Sequence, residues 1–410
     1  MARDTFFIGL DIGTAMIRSV VAVKREEQMI PDIIGVGVHE SLGMRKGVIV
    51  DSEETVSCIT AAVEEAEKMA GEAIDHAFVS IGGVHLKTSP SRGVVAVGGK
   101  NGEIHSADVT RALEVAQNIP LSGNEQVLRV IPHSFSVDDQ ESIKDPIGMS
   151  GIRLEANAHI ISTATNHVRN LTRCVHQTGI DIDDLVPIYL AASESTLSKR
   201  QKELGVVLID IGSGSTSVVV YEEGGIVSSV VLPVGAGHIT NDLAIGLRTS
   251  VDVAEKIKIE YGSCLKSDVT GDEHIDVSHL TGFDEQTLSR MQVVQIIEAR
   301  MYEILSLVYE ELRKVSRAGM LPAGAVITGG GAKLAGIVDF TKDVLGLPVQ
   351  VGYPIEFGGL RDRVDDPGFA TVTGLLLWGM KSDRNTGLLS QISLGSAVNT
   401  VKDFFRSLLP

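Results

Sequence analysis

The tightest constraint on this chain is a strand–turn–strand written twice. Val206–Ile211 is an apolar run that carries Asp210, breaks into Gly212-Ser213-Gly214-Ser215-Thr216-Ser217 and resumes as Val218–Tyr221. Near the N-terminus, Phe7-Ile8-Gly9-Leu10-Asp11-Ile12-Gly13-Thr14 runs in the same way into Ile17–Val23. Each copy leads to a third strand, Ile33–Val38 and Ile226–Leu232, so the repeated unit is a three-strand meander with Asp-x-Gly at its first turn. One such turn is as readily an ordinary hairpin. Two that face each other would pinch an anion from both sides. Glycines let backbone N–H groups approach it without a Cβ in the way, and Thr14, Ser213, Ser215 and Thr216 add hydroxyl donors. Asp11 and Asp210 stand where carboxylates would hold the water shell of Mg²⁺ beside a polyphosphate.

A third glycine turn extends the site. Ala325–Thr328 reads as a strand, Gly329-Gly330-Gly331 as a turn of close backbone approach, and a helix is expected from Leu334. On the helix expected over Val251–Tyr261, Glu255 and Lys258 are spaced i to i+3 and share a face, where they would reach a ribose and a base edge.

The 410 residues call for several domains, and 43% apolar with 22% charged residues is ordinary for a globular chain. A formal charge of −17 disfavours nucleic acid as a partner and repels the body from an anionic membrane. Cys58, Cys174 and Cys264 lie far apart with no CxxC, which suits buried thiols in a reducing compartment. A strand follows Met1–Thr5 at once, so no signal peptide is expected, and no apolar run approaches the ~18 residues of a spanning helix.

Between the repeats the texture changes. Asp51 caps a helix with Val56, Ile59, Val63, Ala66 and Ala70 on one face, Ala77–Ile81 is a strand, and Gly82-Gly83 marks a boundary. Residues 84–165 read as an inserted α+β domain with strands Gly93–Val97, Gln126–Pro132 and His159–Thr163 and a helix Ser106–Asn118 capped by Ser106. His133 and His159 there read as structural. Helices are expected over Asn166–Gly179, Leu185–Ser198 and from about Asp284 to Arg317. Asp366-Pro367 opens another, and Lys381–Asn385 reads as the start of a linker. In the last segment Val398, Val401, Phe404, Phe405, Leu408 and Leu409 fall on one helical face. Burying each is worth roughly 1.5–3 kcal/mol, against about 1–2 kcal/mol per residue to order the helix. The segment thus reads as a surface anchor or partner helix, or as a helix docked on the body, and one copy would bind a lipid surface weakly.

The three turns, with Ala254-Glu255-Lys256-Ile257-Lys258, are similar to the phosphate and adenosine motifs of the actin, Hsp70 and sugar-kinase superfamily. Within it, three blocks resemble the FtsA family of bacterial cell-division proteins: His133–Asp138, Asp145–Glu155 and Gly237–Thr249. The resemblance covers essentially the whole chain. It implies an α/β, actin-like fold of duplicated ribonuclease-H-like domains, with an inserted α+β 1C domain and a C-terminal amphipathic helix. Subdomain 1A would span 1–83, 166–202 and 359–382, 1C 84–165, 2A 203–245 and 316–358, and 2B 246–315, followed by a linker (383–395) and a membrane-targeting helix (396–410).

ATP and Mg²⁺ are the implied ligands. The implied partners are the tubulin-like protein FtsZ through subdomain 2B, later division proteins through 1C, further copies of the chain in a filament, and lipid on the cytoplasmic face of the inner membrane. One departure stands out: Ile188 or Tyr189 falls where relatives carry the acid or amide that positions water, so no catalytic residue is assigned and hydrolysis is expected to be slow. A small-molecule kinase would need a catalytic Asp that is not evident. A pilus-assembly relative would leave the terminal helix unexplained, and an Hsp70-type chaperone would need a further substrate domain.

Overall fold

The computed structural model describes residues 4–389 except 26–27, 29, 99–100, 282–286 and 356. The expected membrane-targeting helix, with Val398, Val401, Phe404, Phe405, Leu408 and Leu409, lies outside the described residues.

Strands β1 (Thr5–Ile12), β2 (Met16–Lys24) and β3 (Asp32–Glu40) form the first meander. A short hairpin, β4 (Met44–Arg45) and β5 (Val48–Ile49), leads to helix α1 (Ser52–Ala70), and β6 (His76–Ile81) returns parallel to β1. Asp51 accepts from the N–H groups of Glu53 and Glu54, and Gly71 ends α1 in the left-handed region. The inserted domain follows: β7 (Lys87–Ala96), α2 (Ser106–Gln117), β8 (Glu125–Val137), β9 (Gln140–Ile143) and β10 (Arg153–Ala164). Its sheet runs β7-β10-β8-β9. Val109, Ala112 and Leu113 of α2 pack with Phe135, Leu154 and Ile160 on one face. The N-cap of α2 is His105 rather than Ser106, because the Asp108 carboxylate accepts from the His105 N–H at 2.9 Å and closes the turn one residue earlier.

Helix α3 (Thr165–Gln177) returns to the first sheet. The apolar stretch from Leu185, expected as one helix, is split. β11 (Asp181–Pro187) joins the sheet edge parallel to β6, and α4 (Ile188–Thr196) starts only after it, followed by α5 (Lys199–Leu204). Apolar periodicity over so short a run does not separate strand from helix. Pro187 disfavours helix in the residues before it, and β6 offers them backbone partners.

The second half repeats the plan. β12 (Val206–Ile211), β13 (Thr216–Glu222) and β14 (Gly225–Leu232) form the second meander, and α6 (Ala236–Leu247), α7 (Val251–Tyr261), β15 (His274–Asp276), α8 (Ser278–Thr281), β16 (Thr287–Ser289) and α9 (Arg290–Lys314) follow. Helix α9 starts at Arg290, not near Asp284, because Thr287–Ser289 pairs with β15 and the Ser289 hydroxyl caps the Gln292 N–H. Then come β17 (Ala325–Thr328), α10 (Ile337–Leu345), β18 (Val349–Val351), β19 (Gly358–Gly359) and α11 (Ala370–Leu389). The three glycines lead into a 3₁₀ turn, Gly330–Lys333, so α10 begins at Ile337 instead of Leu334, after Gly336 turns the chain at φ 71°. The linker expected from Lys381 is helical through Leu389: the stretch is polar but contains no proline to break α11.

The sheets run β11-β6-β1-β2-β3-β19 and β14-β13-β12-β17-β18. Each is an antiparallel meander continued by parallel strands. Val207, Ile209 and Ile211 face the helices of the second half, whereas Val206 and Leu208 face α4 and α11 between the sheets. Burial on both faces explains the unbroken apolar run that precedes the turn.

Where the chain enters and leaves the inserted domain, His85 and His167 meet with ring centroids 3.6 Å apart and planes tilted by 57°. Burial, then the neighbouring His85, lowers His167 to about 4, and burial lowers His85 as well. Folding therefore disfavours the charged ring. Its contribution to stability is intact above the unfolded value near 6.5 and is lost as pH falls towards 4. Urea melts should show a loss of about 3 kcal/mol from this ring between pH 7 and pH 4, and a His167→Gln variant should flatten that dependence.

Candidate functional site

The two meanders bring their first turns together. Asp11 lies at the end of β1, 8% exposed, and accepts from the Ser80 hydroxyl at 2.7 Å; that hydroxyl in turn accepts from the Ile12 N–H. Asp210 occupies the same place on β12. In the hairpin registers Asp11 lies opposite Arg18, whereas Asp210 lies opposite Ser217. The duplication is thus electrostatically unequal, with one cation serving two carboxylates.

Burial pushes Asp210 up to about 7, with the Asp11 charge adding to the rise and Arg18 opposing it. Burial likewise raises Asp11, against Arg18 and the Ser80 hydrogen bond. Arg18 lies with its guanidinium carbon 5.2 Å from the Phe369 ring centroid, and its Nε is buried without a hydrogen-bond partner. Two facing carboxylates that ionise with difficulty form a site short of positive charge, as a hydrated divalent cation would find it.

The second turn is braced from behind. The Gly212 N–H donates to the Ser215 carbonyl at 3.0 Å, the Ala236 N–H to the Gly212 carbonyl at 2.8 Å and the Gly237 N–H to the Ser213 carbonyl at 2.9 Å. The Thr216 hydroxyl donates to the Val234 carbonyl at 2.8 Å, so it supports the turn from within. The third turn seats on Asp210. Gly329 adopts φ 80°, and a Cβ there would stand 2.3 Å from Asp210 Oδ1; one on Gly331 would stand 2.4 Å from Ile211 Cγ2. Gly330 faces open space. The structure therefore brings Asp11, Gly13 and Thr14 together with Asp210–Thr216 and Gly329–Gly331.

Glu255 and Lys258 sit behind α6. Lys258 is buried and donates to Glu255 Oε2 at 2.6 Å, to Thr240 Oγ1 at 2.9 Å and towards the Ala236 carbonyl at 3.5 Å. The pair is joined to itself and, through Ala236, to the back of the second turn. Glu255 remains half-exposed.

The two residues expected at the water-positioning place diverge, and Ile188 packs beside Gly82 at the border of the inserted domain. It starts α4 directly after β11, and its Cδ1 would meet a Cβ on Gly82 at 2.9 Å. Tyr189 is 1% exposed and turns the other way, towards Thr88 of the inserted domain and Ser229 of β14. His133 and His159 face each other at 5.9 Å between the inserted sheet and Gly225–Ile226. No group of three or more metal-ligating side chains occurs among the described residues.

Sequence reasoning passed over Arg18 and Ser80. Arg18 was within reach: a tight turn between Ile12 and Ile17 forces residue 18 opposite residue 11. Ser80 was not, because it arrives on a strand from the far side of α1.

Comparison with known proteins gives a consistent family. The sequence profile described as "Cell division protein FtsA" matches residues 207–374, and the one described as "SHS2 domain inserted in FTSA" matches residues 83–162. The chain is 37% identical over 387 residues to cell division protein FtsA of Pseudomonas aeruginosa, covering 94% of this chain and 92% of that protein. Identity to the Bacillus subtilis protein of the same name is 38% (94% and 86% covered), and to the Escherichia coli K12 protein 34% (92% and 91%). Among solved structures, the chain resembles one of a PilM-PilN type IV pilus biogenesis complex, with a TM-score of 0.67 at 15% identity, covering 91% of this chain and 98% of that one. It also resembles MreB5 of Spiroplasma citri bound to ADP, with a TM-score of 0.55 at 15% identity (93% and 98% covered). These structural likenesses speak for an actin-like fold.

Proposed function

The chain belongs to the FtsA family of cell division proteins, and from that premise we propose that it is an ATP-binding scaffold that polymerises on the membrane and tethers FtsZ there. The facing Asp11 and Asp210 turns carry the nucleotide reading: they are starved of positive charge and floored by glycines. Asp11 and Asp210 would hold Mg²⁺ through water. Gly13, Thr14, Gly212, Ser213, Gly214, Ser215 and Thr216 would line the phosphates, and Gly329, Gly330 and Gly331 with Glu255 and Lys258 the adenosine. Mg²⁺ would neutralise phosphate charge there. Arg18 would balance the two carboxylates. Neither Ile188 nor Tyr189 offers a carboxylate or amide to orient water, which supports at most slow hydrolysis and a nucleotide that sets conformation.

The subdomain division proposed is that of the sequence, with α11 extended through Leu389. FtsZ would dock on 2B, where Val251, Ile259 and Tyr302 are exposed apolar positions. Later division proteins would meet the inserted domain. A groove of about 580 Å³ on its border, lined by Gln126 of β8 and by Arg169, Arg173 and His176 of α3, supports that docking. No helix among the described residues is long and apolar enough to cross a membrane. Membrane contact at the division site is therefore ascribed to the amphipathic segment 396–410.

Sedimentation with anionic liposomes and ATP tests the tether. The full chain should pellet, and a chain ending at Leu389 should stay in the supernatant. Equal pelleting would overturn the tether and leave a scaffold held by partners alone. A polymer-deficient variant should pellet far less than the parent, since single tails bind weakly.

A further inference from the structure

We propose that the tip of the β4–β5 hairpin, Lys46-Gly47, is a clasp over the phosphate end of the nucleotide site, with Lys46 supplying a cation to the polyphosphate. The inference rests on the nucleotide reading above and assigns to that site a wall that none of the three glycine turns provides.

The hairpin tip reaches the site from outside both meanders. Its Gly47 N–H donates to the Thr14 hydroxyl at 2.9 Å, so the tip is hydrogen-bonded to the first turn. It also lies on the second: a Cβ on Gly214 would stand 2.9 Å from the Lys46 Cα and 2.9 Å from the Thr14 hydroxyl. Gly214 therefore has no room for a side chain because the hairpin and the first turn close over it. On its other side the tip meets the border of the inserted domain, where a Cβ on Gly47 would be 2.8 Å from the Gly83 Cα. The backbone of one short loop is thus wedged between both phosphate turns and the boundary glycines.

Lys46 itself is held at φ 50°, the left-handed region that disfavours a long side chain. A lysine kept there, where asparagine or glycine would sit more easily, needs a reason. Lys46 is exposed and holds no ion pair among the described residues. It stands beside a site proposed for an anion, where Arg18 offsets the charges of Asp11 and Asp210, Lys258 is paired with Glu255 and Lys333 with Asp366. A mobile ammonium on a tip that touches both turns is suited to a ligand carrying several negative charges, and it binds a triphosphate more strongly than a diphosphate. Because the tip bridges the turns, it must also lift for the nucleotide to leave.

The test compares Lys46→Asn and Lys46→Arg with the parent, using fluorescent ATP and ADP analogues in Mg²⁺. Asn tolerates the left-handed backbone but removes the cation; Arg keeps the cation. Lys46→Asn should weaken the triphosphate by about tenfold and the diphosphate clearly less, while Lys46→Arg should stay close to the parent. Parent-like triphosphate binding by Lys46→Asn would overturn the clasp and leave the nucleotide reading standing. A parent that binds neither analogue would overturn both. If Lys46→Asn melts below the parent without nucleotide, Lys46→Gly decides instead, since glycine adopts the left-handed backbone freely and also removes the cation. It should release the triphosphate analogue about tenfold faster than the parent and the diphosphate clearly less so. Unchanged triphosphate release from Lys46→Gly would exclude a clasp.

Discussion

Asp210→Asn should abolish tight Mg²⁺–nucleotide binding, by about a hundredfold or more, and should also raise the melting temperature of the nucleotide-free chain. The two effects have one cause. Asp210 is partly buried, and withdrawal from solvent together with the Asp11 charge holds its carboxyl up to about 7 from an ordinary value of 3.8. The ionised form thus costs the empty fold about 4 kcal/mol. Asparagine removes the charge but keeps a polar group, which carries its own burial cost, so a gain of about 2 kcal/mol is expected at pH 8.

The sign follows from the raised value. The contribution to stability is fully present below pH 4 and is lost as pH rises through 7, so the variant's advantage should grow from pH 5 to pH 8. Cation binding runs the other way: it needs the ionised pair and should weaken as pH falls through 7. Melting curves and Mg²⁺-dependent nucleotide titrations at the two pH values check both halves. A variant that melts lower than the parent at pH 8 would contradict the electrostatic account.

Gly374→Ala is expected to destabilise the chain by about 3 kcal/mol or more. Alanine is the better helix former by about 1 kcal/mol, so helix propensity alone predicts the opposite sign. What decides is contact: a Cβ at Gly374 of α11 would stand 1.8 Å from the Ala191 carbonyl oxygen of α4 and 2.4 Å from its carbon. Neither atom can swing away, because both belong to helix backbone. The two helices share the layer between the sheets, with Tyr189, Leu190, Ala370 and Leu375 in one core. Separating them would open that layer. The Glu194 carboxylate, held at about 2 largely by Lys202 and Lys381 against its burial, ties α4 to α5 and α11 at the same place. Urea denaturation of the variant measures the cost directly, and a stabilised Gly374→Ala would show the helices to be further apart.

The sequence was most readable where the physics is local. A strand that ends in Asp and glycine announces its turn, and the second copy removes the ordinary hairpin as an explanation. Asp51 and Gly71 bracket α1 by capping alone. Readings failed where two local outcomes are nearly equal in free energy and a distant neighbour chooses. Leu185-Val186-Pro187 became strand because Val79–Ile81 was waiting for an edge partner. Thr287–Ser289 left the long helix for the same kind of reason, a pairing with β15. Lys381 onward stayed helical because polarity marks exposure and does not by itself end a helix.

What the sequence alone determined about this protein is its duplicated Asp-x-Gly meander, its inserted domain and its kinship, all carried by residues close together along the chain. Only the tertiary structure decided how the pieces meet. It stacks Gly329 on Asp210, joins Lys258 to Glu255 and the back of a turn, aims Tyr189 at Thr88 of the inserted domain and wedges the Lys46-Gly47 tip between the two Asp-x-Gly turns. Such contacts join residues separated by tens to hundreds of positions. Their distances follow from how whole sheets and helices pack, which no local pattern encodes. The paired turns thus mark where a nucleotide would lie, and the packing around them governs what closes over it.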